Sequence, residues 1–276
     1  MTDHYAVIGN PVAHSLSPFV HAAFAQQTGQ DLNYVKLFAP LTDFAATVRQ
    51  FQAEGGCGVN VTVPFKEEAW RMADEPTRRA EMAQAANTLI FSDSGILADN
   101  TDGTGLITDL QQNLNFSLAH RRILLLGAGG AARGVMASLL AELPIQLVIA
   151  NRTVPRGLTL QERFAPYGNV SACDYAALEE MQFDCVINAT STGLSGETIT
   201  LPDTLFASGS LAYDMAYGKD TTPFLRFAQT HGAAQCADGL GMLVEQAAEA
   251  FYLWRKVRPQ TQTVIAQLRS GSAIRA

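Results

Sequence analysis

The segment Gly58-Val59-Asn60-Val61-Thr62-Val63-Pro64-Phe65-Lys66 holds the first residues suited to chemistry. It reads as a strand with Val59, Val61 and Val63 on one face and Asn60 and Thr62 on the other. Pro64 ends the strand and opens a helix, which puts Lys66 in the first helical turn. A cation there opposes the helix dipole, and burial disfavours its charge further. Such a lysine suits proton transfer near neutral pH, whereas a solvated lysine has no such use. Upstream, Ser15-Leu16-Ser17-Pro18 precedes an apolar helix expected over 19–27. Ser17 before Pro18 fits an N-cap with proline at the first helical position. Two hydroxyls beside a helix N-terminus also make a neutral cradle for a carboxylate, and capping does not account for Ser15. Asn87 at a strand start, Asp102 in a glycine-bearing break and Gln246 on an apolar helix face complete the polar set. Singly, these three types are more often turn or surface residues, so their weight comes from the combination.

A second feature lies further along. Arg122-Ile123-Leu124-Leu125-Leu126 is a buried-strand run that feeds Gly127-Ala128-Gly129-Gly130-Ala131-Ala132. This is G-x-G-x-x-A between a strand and an alanine-rich helix, the arrangement that lays a dinucleotide pyrophosphate on a helix N-terminus. The next strand ends in Asn151-Arg152-Thr153, with Arg156 one helical turn beyond. No carboxylate stands there to repel a phosphate, and two guanidiniums are available to hold one, so the pattern points to NADP. The plainer reading of Arg152 and Arg156 is a solvated helix face.

The elements that must position these residues alternate along the chain. Strands are expected at 5–9, 33–38, 58–63, 88–91 and 96–99, the last two around the turn Ser92-Asp93-Ser94-Gly95, which makes the first sheet mixed. A second series falls at 122–127, 145–151, 170–172, 185–189 and 211–216, with helices such as 131–143 and 155–164 between, as in parallel α/β sheets. The break between the series lies at 100–105, and the second series ends at the glycine-rich 237–241. Only helical patterns follow, at 242–257 and 261–269. They need a sheet to cover and can return to the first. The division expected is therefore 1–103 with 240–276 as one domain and 104–239 as another inserted between them.

Composition bounds the function classes. The 276 residues are 47% hydrophobic and 16% charged, against roughly 25% charged in an average chain, with a net charge of −7. Neither disorder nor a general nucleic-acid or membrane-surface binder fits, since the former needs more charge and the latter a positive field. No apolar run approaches a membrane span, and the N-terminus does not read as a signal, so a cytoplasmic protein is expected. The four cysteines, Cys57, Cys173, Cys185 and Cys236, have no C-x-x-C spacing, and no metal site is expected.

Together, Ser15-Leu16-Ser17, Asn60-Val61-Thr62-Val63-Pro64-Phe65-Lys66, Ala86-Asn87-Thr88, Asn100-Thr101-Asp102-Gly103, the glycine loop, Asn151-Arg152-Thr153, Asn188-Ala189-Thr190, Tyr213-Asp214-Met215-Ala216-Tyr217 and the segment 239–246 resemble the shikimate dehydrogenase family over essentially the whole chain. The resemblance implies a two-domain α/β protein, with a mixed-sheet substrate domain and a doubly wound, parallel-sheet Rossmann domain for NADP. It implies reversible NADP-dependent reduction of 3-dehydroshikimate to shikimate, with Lys66 and Asp102 as the acid–base pair. Ser15 and Ser17 would hold the substrate carboxylate, Thr62, Asn87, Asp102 and Gln246 the ring hydroxyls, and Tyr217 would lie nearby. Gly127, Ala128, Gly129, Gly130, Ala131, Asn151, Arg152, Thr153 and Arg156 would hold the nucleotide. Residues 188–191, Thr190 among them, with Met215 and Gly239, would line its nicotinamide. One departure is Arg78, which stands where some members carry an acidic residue. A small-molecule substrate and a monomer or homodimer are implied. The rival readings are a dual-specificity enzyme that also oxidises quinate with NAD, and a noncatalytic dinucleotide sensor, which would need neither Lys66 nor Asp102.

Overall fold

Residues 2–190 and 199–271 are described by a computed structural model, in which the chain builds two six-stranded sheets. They belong to two units, Met1–Leu106 with Leu243–Ala276, and Ile107–Met242. The unit boundaries fall inside two helices, Asp102–Thr108 and Leu240–Arg255, three residues beyond each boundary expected from the sequence.

The first sheet is formed by β1 (Asp3–Gly9), β2 (Leu32–Phe38), β3 (Gly56–Val61), β4 (Glu75–Pro76), β5 (Thr88–Ser92) and β6 (Gly95–Asp99), in the order β2-β1-β3-β5-β6-β4. β1 runs parallel to β2 and β3, whereas β5 is antiparallel to both β3 and β6, so the sheet is mixed. The β5–β6 hairpin turns at Asp93-Ser94, and Gly95 carries the positive φ of 124° that closes it. Tyr5-Ala6-Val7-Ile8 is buried on both faces, as a central parallel strand must be. On one face Ile8, Val59, Val61 and Leu89 pack with Phe44 of α2 (Phe44–Ala53) and with Phe65. The other side of the unit has Val20 and Phe24 of α1 (Ser17–Thr28) packed against Val244, Ala247, Ala248 and Phe251.

β3 stops at Val61, two residues earlier than the apolar alternation predicts, and Val63 is 43% exposed. The cause is a turn, closed by the Phe65 N–H on the Thr62 carbonyl, which lifts Val63 out of the sheet before α3 (Lys66–Met72) begins. The short strand β4 and the helices α2 and α4 (Arg78–Ala83) carry too little pattern to be read from sequence.

The second sheet is all parallel: β7 (Arg122–Leu126), β8 (Gln146–Ala150), β9 (Val170–Cys173), β10 (Phe183–Asn188), β11 (Phe206–Asp214) and β12 (Gln235–Asp238), ordered β12-β11-β10-β7-β8-β9. Counted from β7, this is the 3-2-1-4-5-6 order of a dinucleotide-binding sheet, with strand order reversing between β7 and β10. After α5 (Asp102–Thr108) and a single π-turn, the helices of this unit include α6 (Gly130–Ala141), α7 (Val154–Phe164) and α8 (Pro223–Thr230). α9 (Leu240–Arg255) then carries the chain to the C-terminal α10 (Gln262–Arg269). Among the described residues no helix is long and apolar enough to cross a membrane.

One core residue has a measurable pH signature. His21 is fully buried, stacked on Tyr34 at 4.1 Å, and among the described residues neither ring nitrogen meets a hydrogen-bond partner. Burial pushes its pKa down to about 3, against a smaller opposing pull from the Asn60 side chain. The unfolded chain binds this proton below its ordinary 6.5, while the folded chain stays neutral down to about 3. Folding stability therefore falls as pH drops through that window. From pH 7 to 4.5, wild type should lose roughly 2–3 kcal/mol more stability than His21→Phe in urea unfolding. Equal pH slopes for the two proteins would count against a neutral, buried imidazole.

Candidate active site

The mixed topology of the first sheet gathers polar side chains at one place. The C-terminal ends of β3 and β6 lie on either side of the N-terminal end of β5, through the register Asn60↔Thr88 and Thr88↔Asp99. Asn87, just before β5, therefore sits between the segments that lead to Lys66 and to Asp102. Lys66 opens α3 and Asp102 opens α5. Lys66 Nζ lies 2.5 Å from Asp102 Oδ2, with 15% of the lysine and 5% of the aspartate side chain exposed. The spacing alone sets Lys66 against a helix dipole and the family resemblance pairs it with Asp102; the structure puts the two side chains in contact.

Asn87 is buried and its amide nitrogen faces three acceptors: Thr101 Oγ1 and Asp102 Oδ1 at 2.9 Å and Gln246 Oε1 at 3.0 Å. Its Oδ1 accepts the Thr101 N–H at 2.8 Å and the Thr88 hydroxyl at 3.0 Å. Both oxygens of Asp102 are thus engaged, one by Lys66 and one by Asn87. Gln246 donates its own amide to the Leu243 carbonyl, leaving Oε1 turned to the cluster. Gln246 comes this close because Gly105 has no side chain. A Cβ at Gly105 would stand 2.6–2.9 Å from Gln246 Cβ, N and Cα. Thr62 is half-buried beyond the end of β3.

Ser15 and Ser17 are adjacent, the Ser15 hydroxyl donating to Ser17 Oγ at 3.1 Å. Their roles at the helix end are the reverse of the expectation. Leu16 occupies the N-cap and Ser17 is the first helical residue, while Ser15 Oγ accepts the Ser17 N–H at 3.3 Å. The hydroxyl that serves the helix terminus is Ser15, not Ser17.

Nothing in the sequence marks the brace behind Asp102. Arg79 grips Asp99 with two nitrogens, at 3.0 and 2.6 Å, and reaches Thr104 Oγ1 at 2.9 Å and Glu249 Oε1 at 3.0 Å. Arg258 holds the second oxygen of Glu249 at 2.7 Å. Burial works against the Arg79 charge, but Asp99 and Glu249 outweigh it and hold its pKa above the ordinary value. Asp99 also accepts the Asn100 N–H, and Asn100 Oδ1 accepts the Asp102 N–H, so the brace ends on the residue of interest. Arg78, the position that departs from the family pattern, is exposed. An Arg-Arg pair at a helix start offers no pattern that separates the two.

In the second unit the glycine loop follows β7. Gly127 has φ 104° and fits tightly, since a Cβ there would meet Thr190 Cγ2 at 3.1 Å and the Ala189 carbonyl at 3.2 Å. Ala128 is buried, Gly129 is the N-cap of α6, and Gly130 and Ala131 form its first turn. Among the described residues nothing lies within 4 Å of a Cβ built on Gly129, so they leave the helix N-terminus open at the strand-order reversal. Asn151 Nδ2 donates to the Thr153 carbonyl, and Arg152, Thr153 and Arg156 are exposed at the start of α7.

Beside the loop, Asn188 Oδ1 accepts the N–H and hydroxyl of Thr190, while its amide donates to buried Asp214 at 3.1 Å. Burial raises the pKa of Asp214, against the pull of Thr222, the Ala216 N–H and Asn188. Met215 follows, its N–H on the Asn188 carbonyl, and Gly239 packs so closely that a Cβ would stand 2.2 Å from the Met215 carbonyl oxygen. Tyr217 is half-buried two residues on. Ser191, expected on the nicotinamide side, lies outside the described residues.

Known proteins carry the same organisation. Residues 7–89 match the family described as shikimate dehydrogenase substrate binding domain, 109–200 match shikimate / quinate 5-dehydrogenase, and 239–269 match the shikimate 5'-dehydrogenase C-terminal domain. A shikimate dehydrogenase (NADP(+)) of Methylobacillus flagellatus is 58% identical over 270 residues, covering 98% of this chain and 100% of its own. The crystal structure of an Ael1 enzyme from Pseudomonas putida is similar at TM-score 0.90 and 49% identity, over 97% of this chain and 98% of that one. Shikimate 5-dehydrogenase from Thermus thermophilus, solved in complex with NADP(H) and shikimate, is similar at TM-score 0.86 and 32% identity, over 98% and 99% of the two chains.

The packing of Gln246 on Gly105 is open to test. Gly105→Ala places a methyl against backbone, which only a shift of α5 or α9 can relieve, at a cost of about 1–3 kcal/mol. A lowered urea midpoint with an unchanged slope is expected, and wild-type stability would refute the close approach.

Proposed function

The chain belongs to the shikimate dehydrogenase family, and from that premise we propose that Lys66 and Asp102 serve the reversible NADP-dependent reduction of 3-dehydroshikimate to shikimate. The observation that carries this reading is the buried ion pair with both Asp102 oxygens engaged. Reduction of the ketone needs a hydride at carbon and a proton at oxygen, and bound NADPH supplies the hydride. Lys66 donates a proton or hydrogen bond to the developing alkoxide, Asp102 orients the lysine, and the reverse reaction returns the proton to Lys66.

Recognition follows from the surrounding groups. The paired hydroxyls of Ser15 and Ser17 take the substrate carboxylate, and Thr62, Asn87, Asp102 and Gln246 the ring hydroxyls; Tyr217 is a further substrate residue by the family resemblance. The residues present fit the dinucleotide. The open space at Gly129 suits a pyrophosphate on the N-terminus of α6, and Gly127, Ala128, Gly130 and Ala131 shape that cradle. Asn151, Arg152, Thr153 and Arg156 would hold the adenosine 2′-phosphate, and Thr190, Met215 and Gly239 would line the nicotinamide. On this reading the substrate-binding domain is the discontinuous unit and the NADP domain the inserted one. A cytoplasmic monomer or homodimer is part of the same proposal, the four unpaired cysteines suiting a reducing compartment.

Shikimate-dependent formation of NADPH, followed by absorbance, is the direct test. Lys66→Ala should lower kcat by about 10²–10⁴-fold while KM for shikimate moves only a few-fold. An unchanged kcat would remove Lys66 from the chemical step. Replacing Arg152 and Arg156 together by Ala should raise KM for NADP roughly tenfold or more and leave KM for NAD nearly unchanged. Equal losses with both cofactors would place those arginines elsewhere.

A further inference from the structure

Arg79 lies on the short helix α4, outside the motifs of the sequence and outside the proposed chemistry, yet its contacts reach the two helices that carry Asp102 and Gln246. The planar guanidinium uses all three of its nitrogens. Nε and Nη2 donate to the two oxygens of Asp99 at 3.0 and 2.6 Å, while Nη1 donates to Thr104 Oγ1 at 2.9 Å and to Glu249 Oε1 at 3.0 Å. Asp99 and Glu249 are buried, and Arg79 is half-buried over them. Thr77 donates a further bond to Asp99 Oδ1 at 2.7 Å, and Arg258 takes the second oxygen of Glu249. Two anions thus face two cations, with the Arg79 fork between the anions.

Where these contacts fall along the chain connects Arg79 to the site. Asp99 ends β6 and Thr104 stands in the first turn of α5, so the guanidinium holds the chain on both sides of Asp102. Asp99 Oδ1 also accepts the Asn100 N–H at 2.7 Å, and Asn100 Oδ1 accepts the Asp102 N–H at 3.1 Å, which carries the restraint to the Asp102 backbone. Glu249 comes three residues after Gln246 on α9, on the same face of the helix. Nη1 therefore ties α5 to α9 one turn from the place where Gln246 packs on Gly105 and turns Oε1 to Asn87. A lysine, with one nitrogen on a flexible stem, cannot grip Asp99 by a fork and hold two helices at once.

We infer that Arg79 is a positioning residue for the reduction, setting Asp102 on α5 and Gln246 on α9 in one fixed geometry by gripping Asp99, Thr104 and Glu249 together. The inference rests on the reading of Lys66 and Asp102 as the acid–base pair and of Gln246 as a ligand of a ring hydroxyl. A fold tolerates a small displacement of one helix on another, whereas a reacting group misplaced by about 1 Å costs on the order of 10²-fold in rate. The loss of the fork therefore falls on kcat through Asp102 and on KM for shikimate through Gln246, and spares the dinucleotide.

The test compares Arg79→Lys, Thr104→Val and Thr104→Ser with wild type, each first shown by its urea unfolding curve to be folded without denaturant. Arg79→Lys should lower kcat for shikimate oxidation about 10–100-fold and raise KM for shikimate about three- to tenfold, with KM for NADP unchanged. Thr104→Val removes one arm and strands no charge, and should lower kcat about three- to tenfold. Thr104→Ser restores the hydroxyl and should return kcat to within about twofold of wild type. In an Asp102→Asn background, Arg79→Lys should lower kcat no further, because it acts through Asp102. A merely structural Arg79 predicts a lower urea midpoint with wild-type kcat and KM in the folded enzyme. That result would overturn the inference, as would multiplying kcat losses in the double variant or a Thr104→Ser no better than Thr104→Val. If Arg79→Lys does not fold, the Thr104 pair decides alone. Should Asp102→Asn keep wild-type kcat, the acid–base reading falls and the Arg79 role with it; a crippled Asp102→Asn beside an unimpaired Arg79→Lys removes only the positioning role.

Discussion

A carboxylate taken out of water is costly unless every lone pair finds a partner, and Asp102 sets that condition for the first unit. Its two oxygens are met by groups from different elements, Lys66 at the start of α3 and Asn87 ahead of β5. Its backbone N–H is met by Asn100, whose own N–H is held by Asp99. Asp99 is in turn buried and carries a charge that Arg79 balances, and Arg79 draws in Glu249 and Arg258. One buried charge thus leads outward through a series of compensations to the C-terminal segment of the chain. Removing a middle member strands the next charge, which costs more than the lost contact itself.

Such convergence explains why the first sheet is mixed. In a parallel sheet the carboxyl ends of all strands lie at one edge, and the amino ends at the other. Inserting antiparallel β5 between β3 and β6 brings its amino end to that carboxyl edge, which is how Thr88 comes to lie between Asn60 and Asp99 in the register, with Asn87 just ahead of it. The second sheet has no need of this device. Its strands are all parallel, and the feature it exploits is the reversal of order between β7 and β10. There two neighbouring carboxyl ends part, and Gly127 lies against Thr190 where they do. Opposite solutions serve different ligands: a small polyol needs many side chains at one point, a dinucleotide needs an open helix terminus.

Much of this was legible in the sequence because it is local. A strand running into G-x-G-x-x-A, or a proline two residues before a lysine, reports its geometry through neighbours in the chain. Lys66 and the glycine loop could be named on those grounds, whereas Asn87 and Asp102 carried weight only within the set that resembles the family. The Arg79 brace could not, since Arg79 and Glu249 are 170 residues apart and nothing in either neighbourhood marks them as partners. Val63 misled for the opposite reason: a three-residue apolar alternation continued past the point where the Thr62–Phe65 turn ends the strand. Ser15 and Ser17 lie side by side but their helix-end roles are exchanged, because whether Leu16 or Ser17 caps α1 depends on backbone angles that side-chain types do not encode.

Charge shows the same separation between global and local. A net charge of −7 excludes a polyanion partner but is silent on a single carboxylate or one nucleotide. The inserted segment 104–239 carries 8 Lys and Arg against 12 Asp and Glu, and the remainder 11 against 14, so neither part is basic. Several cations are also committed internally: Arg79 to Asp99 and Glu249, Arg122 to Asp184, Arg255 to Asp3, Lys66 to Asp102. On the proposed reading, anion recognition rests on neutral donors that cost little to bury, namely serine hydroxyls and helix N–H groups, supplemented where phosphate is the target by the exposed Arg152 and Arg156. Neutral donors bind weakly unless they are oriented in advance, which is why the hydrogen bonds between Ser15 and Ser17 matter more here than they would beside an arginine.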